Sequence, residues 1–197
     1  MNTKPILIVT GEPFSVFSEI LFKTFKKNKF KNSIIFIGSF DLLNKQMKFL
    51  KYNIPIKIIS HNFKEKDLDK KKINLININF KFKNIFKDIS NESNLYNYSC
   101  FKLALKLMKS KKFSGLINGP ISKKHFLKNK YLGITEYLAN KTKTKKFAML
   151  IFNKKLSVSP ISTHIPLKDV SKIITKNKIV DQVKMIKKFY KTFFKKD

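Results

Sequence analysis

PILIVTGEPFSVFSEILFKTFKKNKFKNSIIFIG, residues 5–38, is the stretch on which the fold class turns. PILIVT, 5–10, is an apolar run of strand length. After Pro13 the residues Phe14, Phe17, Leu21, Phe22 and Phe25 recur at helical spacing, and SIIFIG, 33–38, is apolar again over strand length. Strand, amphipathic helix and strand in that order predict a βαβ unit, because parallel neighbours need a crossover that a tight turn cannot supply.

The alternation continues downstream. Phe40, Leu43, Met47 and Leu50 predict a second helix and PIKIIS, 55–60, a third strand. HNFKEKDLDKKK, 61–72, is polar and reads as a loop or insertion before INLININF, which alternates as a strand does. A long helix is predicted from about Ser93 to Lys112, with Leu95, Tyr98, Phe101, Leu105 and Met108 on one face. GLINGP, 115–120, is a short strand that breaks at Gly119-Pro120, and Ser122 suits the cap of a following helix. FAMLIF and LSVSPI predict two adjacent strands joined at Asn153 to Lys155. Pro166 suits the first turn of a helix over PLKDVSKIIT, and Ile179 to Phe194 predicts a last amphipathic helix. No internal repeat and no second domain is signalled, so the expectation is one α/β region over 1–197 with a largely parallel sheet.

With 43% hydrophobic residues, 197 positions suffice for one sizeable core. Glu12 interrupts the first apolar run too early for a signal-peptide core, and no apolar stretch reaches membrane-spanning length, which predicts a soluble, cytoplasmic protein with no membrane partner. A single cysteine, Cys100, excludes an internal disulfide and a multi-thiolate zinc site; it reads as a small buried residue of its helix.

The formal charge of +31 invites a nucleic-acid reading. All 43 basic residues are lysines, however, and none is the arginine whose planar fork makes bidentate phosphate and guanine contacts. The lysines occur on nearly every polar stretch rather than in one block, and abundant Lys, Asn, Ile and Phe beside scarce Gly and Ala is what drift toward AT-rich codons produces. That pattern argues for a solvated surface and against nucleic acid.

Four short segments carry candidate chemistry. TGEP, from Thr10, puts a turn after the first strand, where open α/β sheets place their ligand crevice, and equally reads as an ordinary βα turn. NGPISK, 118–123, could offer backbone N–H groups and the Lys123 ammonium to an anion, or could be a plain strand-to-helix turn. In GITEY, 133–137, Thr135 could bond a ligand or cap a helix with Glu136 nearby. In SVSPISTHIPLKDV, His164 stands at a strand-to-helix junction exposed at the sheet's edge, where it could be a ligand or a structural histidine. A catalytic zinc needs about three protein ligands, and neither His61 nor His125 has metal-ligand spacing to His164.

In order, these segments resemble the 4-hydroxythreonine-4-phosphate dehydrogenase family. TGEPFSVFSEI is similar to that family's T-x-G-D/E-P-A-G-I-G-P-E, GPISK to G-P-I/L-N-K, GITE to G-H-T-E, and STHIPLKDV to T-T-H-L/V-P-L-R-D-V, the most specific of the four. The resemblance implies a three-layer α/β/α fold related to isocitrate and isopropylmalate dehydrogenases. It also implies NAD-dependent oxidation and decarboxylation of 4-phosphohydroxythreonine in vitamin B6 biosynthesis, with a divalent metal such as zinc, magnesium or cobalt. By resemblance His164 is a metal ligand, Thr135 contacts the small phosphorylated substrate, and the enzyme is a homodimer.

The sequence departs from that pattern in three places. Phe14, Ser15, Val16 and Phe17 replace the A-G-I-G glycine run, Ile134 replaces the histidine of G-H-T-E, and Lys168 replaces the arginine after P-L. The resemblance also covers only the first portion of the family's length; the later portion carries the other two histidine ligands and much of the cofactor site. The expectation is therefore a truncated, dehydrogenase-like chain that is incomplete or inactive alone and has a complementary C-terminal chain as a possible partner. The alternatives are a non-catalytic interaction module that retains the fold and, third, a Lys-rich nucleic-acid-binding protein.

Overall fold

A computed structural model describes residues 4–86, 89–128 and 130–194. Two compact units divide the chain after Lys128.

The first unit is built on a five-stranded sheet in the order β3-β4-β2-β1-β5. Its strands are β1 (Ile6–Val9), β2 (Ile34–Gly38), β3 (Ile56–Ile58), β4 (Ile73–Asn77) and β5 (Gly115–Asn118), and every pairing is parallel. Helices α1 (Phe17–Lys27), α2 (Phe40–Phe49), α3 (Asn91–Met108) and α4 (Lys123–Phe126) make the connections, with a 3-10 turn at Glu65–Asp67 in the polar loop. The predicted βαβ opening is thus present.

The core follows the pleat. Ile34 and Phe36 of β2 join Ile73 and Leu75 of β4 beneath Leu21 and Phe22 of α1 and Leu43 and Met47 of α2, all buried. Ile35 and Ile37 alternate with them, and their side chains take the opposite face. Helix α3 packs on β1, β2 and β5, which gives the helix, sheet and helix layering. β1 and β2 are covered on both faces, which is why they read as unbroken apolar runs.

Helix α3 departs from its predicted face. Its buried residues are Ser93, Asn94, Tyr96, Asn97, Cys100, Phe101 and Ala104, while Leu95 is 67% exposed. The inward stripe is rotated because polar groups on it have partners: Tyr96 Oη accepts from the Ser39 N–H at 2.8 Å, and Asn97 bonds to Glu12.

The second unit holds α5 (Ile134–Lys141), α6 (Leu167–Ile173) and α7 (Lys176–Phe194). FAMLIF and LSVSPI do not form the two predicted strands: a single antiparallel bridge joins Ile151 to Val158. Both residues are exposed, and among the described residues no further strand pairs with either segment, so nothing propagates the ladder. Gln182 Nε2 donates to Ser159 Oγ at 2.7 Å and to Pro160 O at 3.0 Å, and Tyr190 Oη donates to Ser157 Oγ at 3.0 Å; these bonds lay α7 along the bridge segment. Pro166 is the N-cap of α6 rather than a residue of its first turn.

Candidate functional site

In the first unit the turns after β1 and β5 are mated backbone to backbone. The Glu12 N–H donates to Pro120 O at 2.7 Å and the Gly119 N–H to Val9 O at 2.7 Å. A Cβ on Gly11 would lie 2.3 Å from Pro120 O, and one on Gly119 would lie 2.1 Å from Thr10 O. Gly11 also has φ +73°, the left-handed region that glycine enters without a Cβ clash. TGEP and NGP, each ambiguous as a sequence, are two halves of one edge at the carboxyl ends of β1 and β5, the position at which open α/β sheets bind ligands.

Glu12 is buried in that edge. Its Oε2 accepts from Asn97 Nδ2 at 3.1 Å, while Oε1 is buried without a hydrogen-bond partner. Burial pushes the carboxyl above its ordinary value of 4.5, and nearby Ser93, Asn97, the Phe14 N–H and the field of His125 act in the opposite direction. Beside it a cavity of about 20 Å³ is lined by Thr10, Glu12, Ser18, Ser39, Gln46 and Tyr96, among others. That is room for one water molecule. Where the resemblance leads one to expect small residues, aromatic rings fill space: Phe14 lies 5.7 Å from Phe80, and Phe17 Cδ2 comes within 2.9 Å of the Cβ position of Gly119.

In NGPISK, Ser122 caps the helix that follows, as its position predicts. Its Oγ accepts the His125 N–H at 3.2 Å and caps α4, and the Lys123 and Lys124 side chains are exposed.

In the second unit two motifs meet. Gly133 is the N-cap of α5, Thr135 is half-buried in the first turn, and Thr163 Oγ1 donates to Glu136 Oε1 at 3.4 Å. A Cβ on Gly133 would lie 2.9 Å from Glu136 Oε2 and 3.8 Å from His164 Nε2. The carboxylate and the imidazole therefore both lie beside Gly133, and the carboxylate takes up room that a side chain there would need. His164 is exposed and has φ +57°. Lys51, Lys111, Lys128 and Lys143 share that backbone region, but each follows a helix end within three residues, where such a conformation is routine. His164 instead precedes α6, so its left-handed backbone is not a helix termination.

Glu136 entered the sequence reading only as a neighbour of a possible cap. Its place as the fourth residue of GITE gave no sign of the STHIPLKDV segment; only the tertiary contact with Thr163 does. Among the described residues, no group of three or more His, Cys, Asp or Glu side chains could hold a metal ion. His164 could give a divalent cation one imidazole nitrogen and leaves the rest of a coordination shell to other groups. No helix among the described residues is long and apolar enough to cross a membrane.

The parallel sheet with its mated turns defines an open α/β protein, and in the second unit GITE, at the start of α5, meets the segment STHIPLKDV that leads into α6. Residues 29–197 match the family model described as Pyridoxal phosphate biosynthetic protein PdxA, and the chain belongs to that family. It is 36% identical to the 4-hydroxythreonine-4-phosphate dehydrogenase of Sulfurihydrogenibium sp., over 96% of this chain and 58% of that one. The corresponding enzyme of Aquifex aeolicus is 29% identical over 99% of this chain and 60% of its own length. Among solved structures, a 4-hydroxythreonine-4-phosphate dehydrogenase from Klebsiella pneumoniae superposes with a TM-score of 0.80 at 21% identity, covering 96% of this chain and 59% of that one. One from Burkholderia phymatum gives 0.79 at 20%, covering 93% and 57%. The chain thus spans about three-fifths of the length of these relatives, and the solved structures agree with the α/β fold.

Proposed function

We propose that this chain supplies the first part of a 4-hydroxythreonine-4-phosphate dehydrogenase, an oxidoreductase of pyridoxal phosphate biosynthesis that uses NAD and a divalent metal in the cytoplasm. The observation that carries the reading is the meeting of His164 with the Gly133 to Glu136 segment, two motifs about thirty residues apart in sequence. His164 would hold a divalent metal there as one of its ligands; such a metal would supply a Lewis acid for a substrate hydroxyl, and NAD would supply the hydride acceptor. Thr135, in the first turn of α5, contacts the phosphorylated substrate in this reading. Ile134 offers no donor beside it, so the phosphate is held with one hydrogen bond fewer than in a G-H-T-E relative.

The rest of a family-length protein, on the same or a separate chain, covers the apolar face of the second unit. Ile151, Leu156, Val158, Val183 and Phe193 are each at least half exposed, and α7 buries none of its residues. Covering such area returns about 25 cal/mol per Å². The test mixes the 197-residue chain with the separately expressed C-terminal two-fifths of the Sulfurihydrogenibium relative. The reading expects a one-to-one complex and a fall in the fluorescence of an anilinonaphthalene dye bound to the chain. A chain that is monodisperse, binds no dye and ignores that portion contradicts the covering role and favours a self-sufficient binding module.

A further inference from the structure

We propose that the cavity beside Glu12 is a binding site for one ordered water molecule, which bridges Glu12 Oε1 and Ser18 Oγ. The site lies wholly in the first unit and is independent of the reading of His164. Its volume of about 20 Å³ suits a single water. Glu12 and Ser18 both line it and are only 6% and 3% exposed. Glu12 Oε1 and Ser18 Oγ are also buried atoms that find no hydrogen-bond partner among the described residues. An acceptor and a hydroxyl buried in this way are costly, and a water that serves both removes that cost.

Neighbouring polar groups are already committed elsewhere. The Ser39 N–H donates to Tyr96 Oη at 2.8 Å, and Gln46 Nε2 donates to Pro13 O and to Ile85 O, each at 2.9 Å. Ser93 Oγ, also near the carboxyl, donates to Ser90 O at 3.0 Å. Water fits the chemistry better than a metal cation does. It donates to a carboxylate and accepts from a neutral carboxyl, the form that burial favours for Glu12. A monovalent cation needs an ionised carboxylate and several oxygen ligands, whereas Phe17, Leu42 and Leu43 supply apolar wall. Bridged by water, the turn after β1 is tied to α1 as well as to α3 and the turn after β5.

Oxygen-17 relaxation dispersion of the solvent counts long-lived internal waters in the 197-residue protein. Ser18→Val removes the hydroxyl and fills the cavity with methyl groups. The proposal expects the dispersion amplitude of the variant to fall by the equivalent of one water, with an amide spectrum that otherwise matches the wild type. An unchanged amplitude in a folded variant overturns it. Should Ser18→Val not fold, a crystal structure of the unaltered chain decides the matter. It is expected to show a water within about 2.5–3.0 Å of both Glu12 Oε1 and Ser18 Oγ. An empty cavity, a direct bond between the two side chains, or an anomalous peak there after a rubidium soak overturns the proposal.

Discussion

Asn97 Nδ2 donates to Glu12 Oε2 at 3.1 Å across 85 positions of sequence, and both residues are buried. The bond ties α3 to the turn after β1, and that turn in turn holds the Pro120 carbonyl through the Glu12 N–H. Glu12 therefore links three segments at the carboxyl edge of the sheet, α3 through its carboxyl and the turn after β5 through its backbone N–H.

Burial raises the Glu12 carboxyl above its ordinary 4.5, so over a window starting at that value the folded chain keeps a proton that the unfolded chain has released. Stability from this group is consequently lost as pH rises from the unfolded value through the raised folded one. Glu12→Gln, which cannot ionise, should gain stability relative to the wild type as pH moves from 4 toward 7. Urea denaturation of both proteins across that range measures the difference; a change in the wild type's favour as pH rises would contradict the assignment.

The two mated glycines should be far more sensitive than a third. Gly11→Ala puts a Cβ 2.3 Å from Pro120 O at a positive φ, and should cost roughly 3 kcal/mol or prevent folding. Gly115→Ala meets nothing within 4 Å and should change stability by less than about 1 kcal/mol. Chemical denaturation of the pair of variants checks the contrast.

Much of this was legible in the sequence, and what was not has a common cause. The apolar runs at Ile6–Val9 and Ile34–Gly38 announced parallel strands because both faces of those strands are covered. Helix α3 was misoriented by its periodicity, since Leu95 is apolar yet exposed while Asn94 and Asn97 are polar yet buried. Burial of an asparagine depends on a partner such as Glu12 that lies far off in the chain. The bridge at Ile151 and Val158 was overread as two strands because alternation reports side-chain faces and not available pairing. At the candidate site the histidine was visible through STHIPLKDV, whereas Glu136 acquires significance only when the loop carrying Thr163 folds onto α5.

Cys100 should be chemically silent in the folded chain. It is fully buried beside Tyr96, and burial pushes its thiol up to about 12, so almost no thiolate forms near neutral pH. A chromogenic disulfide reagent at pH 8 should report no reactive thiol in native protein and one after unfolding in guanidinium. Fast native reaction would contradict the packing of α3.

The lysine-rich surface should bind polyanions only through counterion release. Affinity for a random-sequence DNA duplex, measured by fluorescence anisotropy, should fall steeply between 50 mM and 0.2 M salt. Affinity that persists at 0.2 M salt would revive a nucleic-acid function for the scattered lysines.

The most direct test of the central claim is formation of NADH, followed by absorbance, with 4-phosphohydroxythreonine, NAD and zinc. The assay compares the chain alone with the chain recombined with the C-terminal portion of its Sulfurihydrogenibium relative. With no group of three or more potential metal ligands among its described residues, the chain alone is expected to show no turnover above a His164→Ala control. The recombined protein is expected to reduce NAD and to lose that activity with His164→Ala. Turnover by either preparation that is unchanged by His164→Ala would contradict the account, because the site would then lie somewhere other than where His164 meets Glu136.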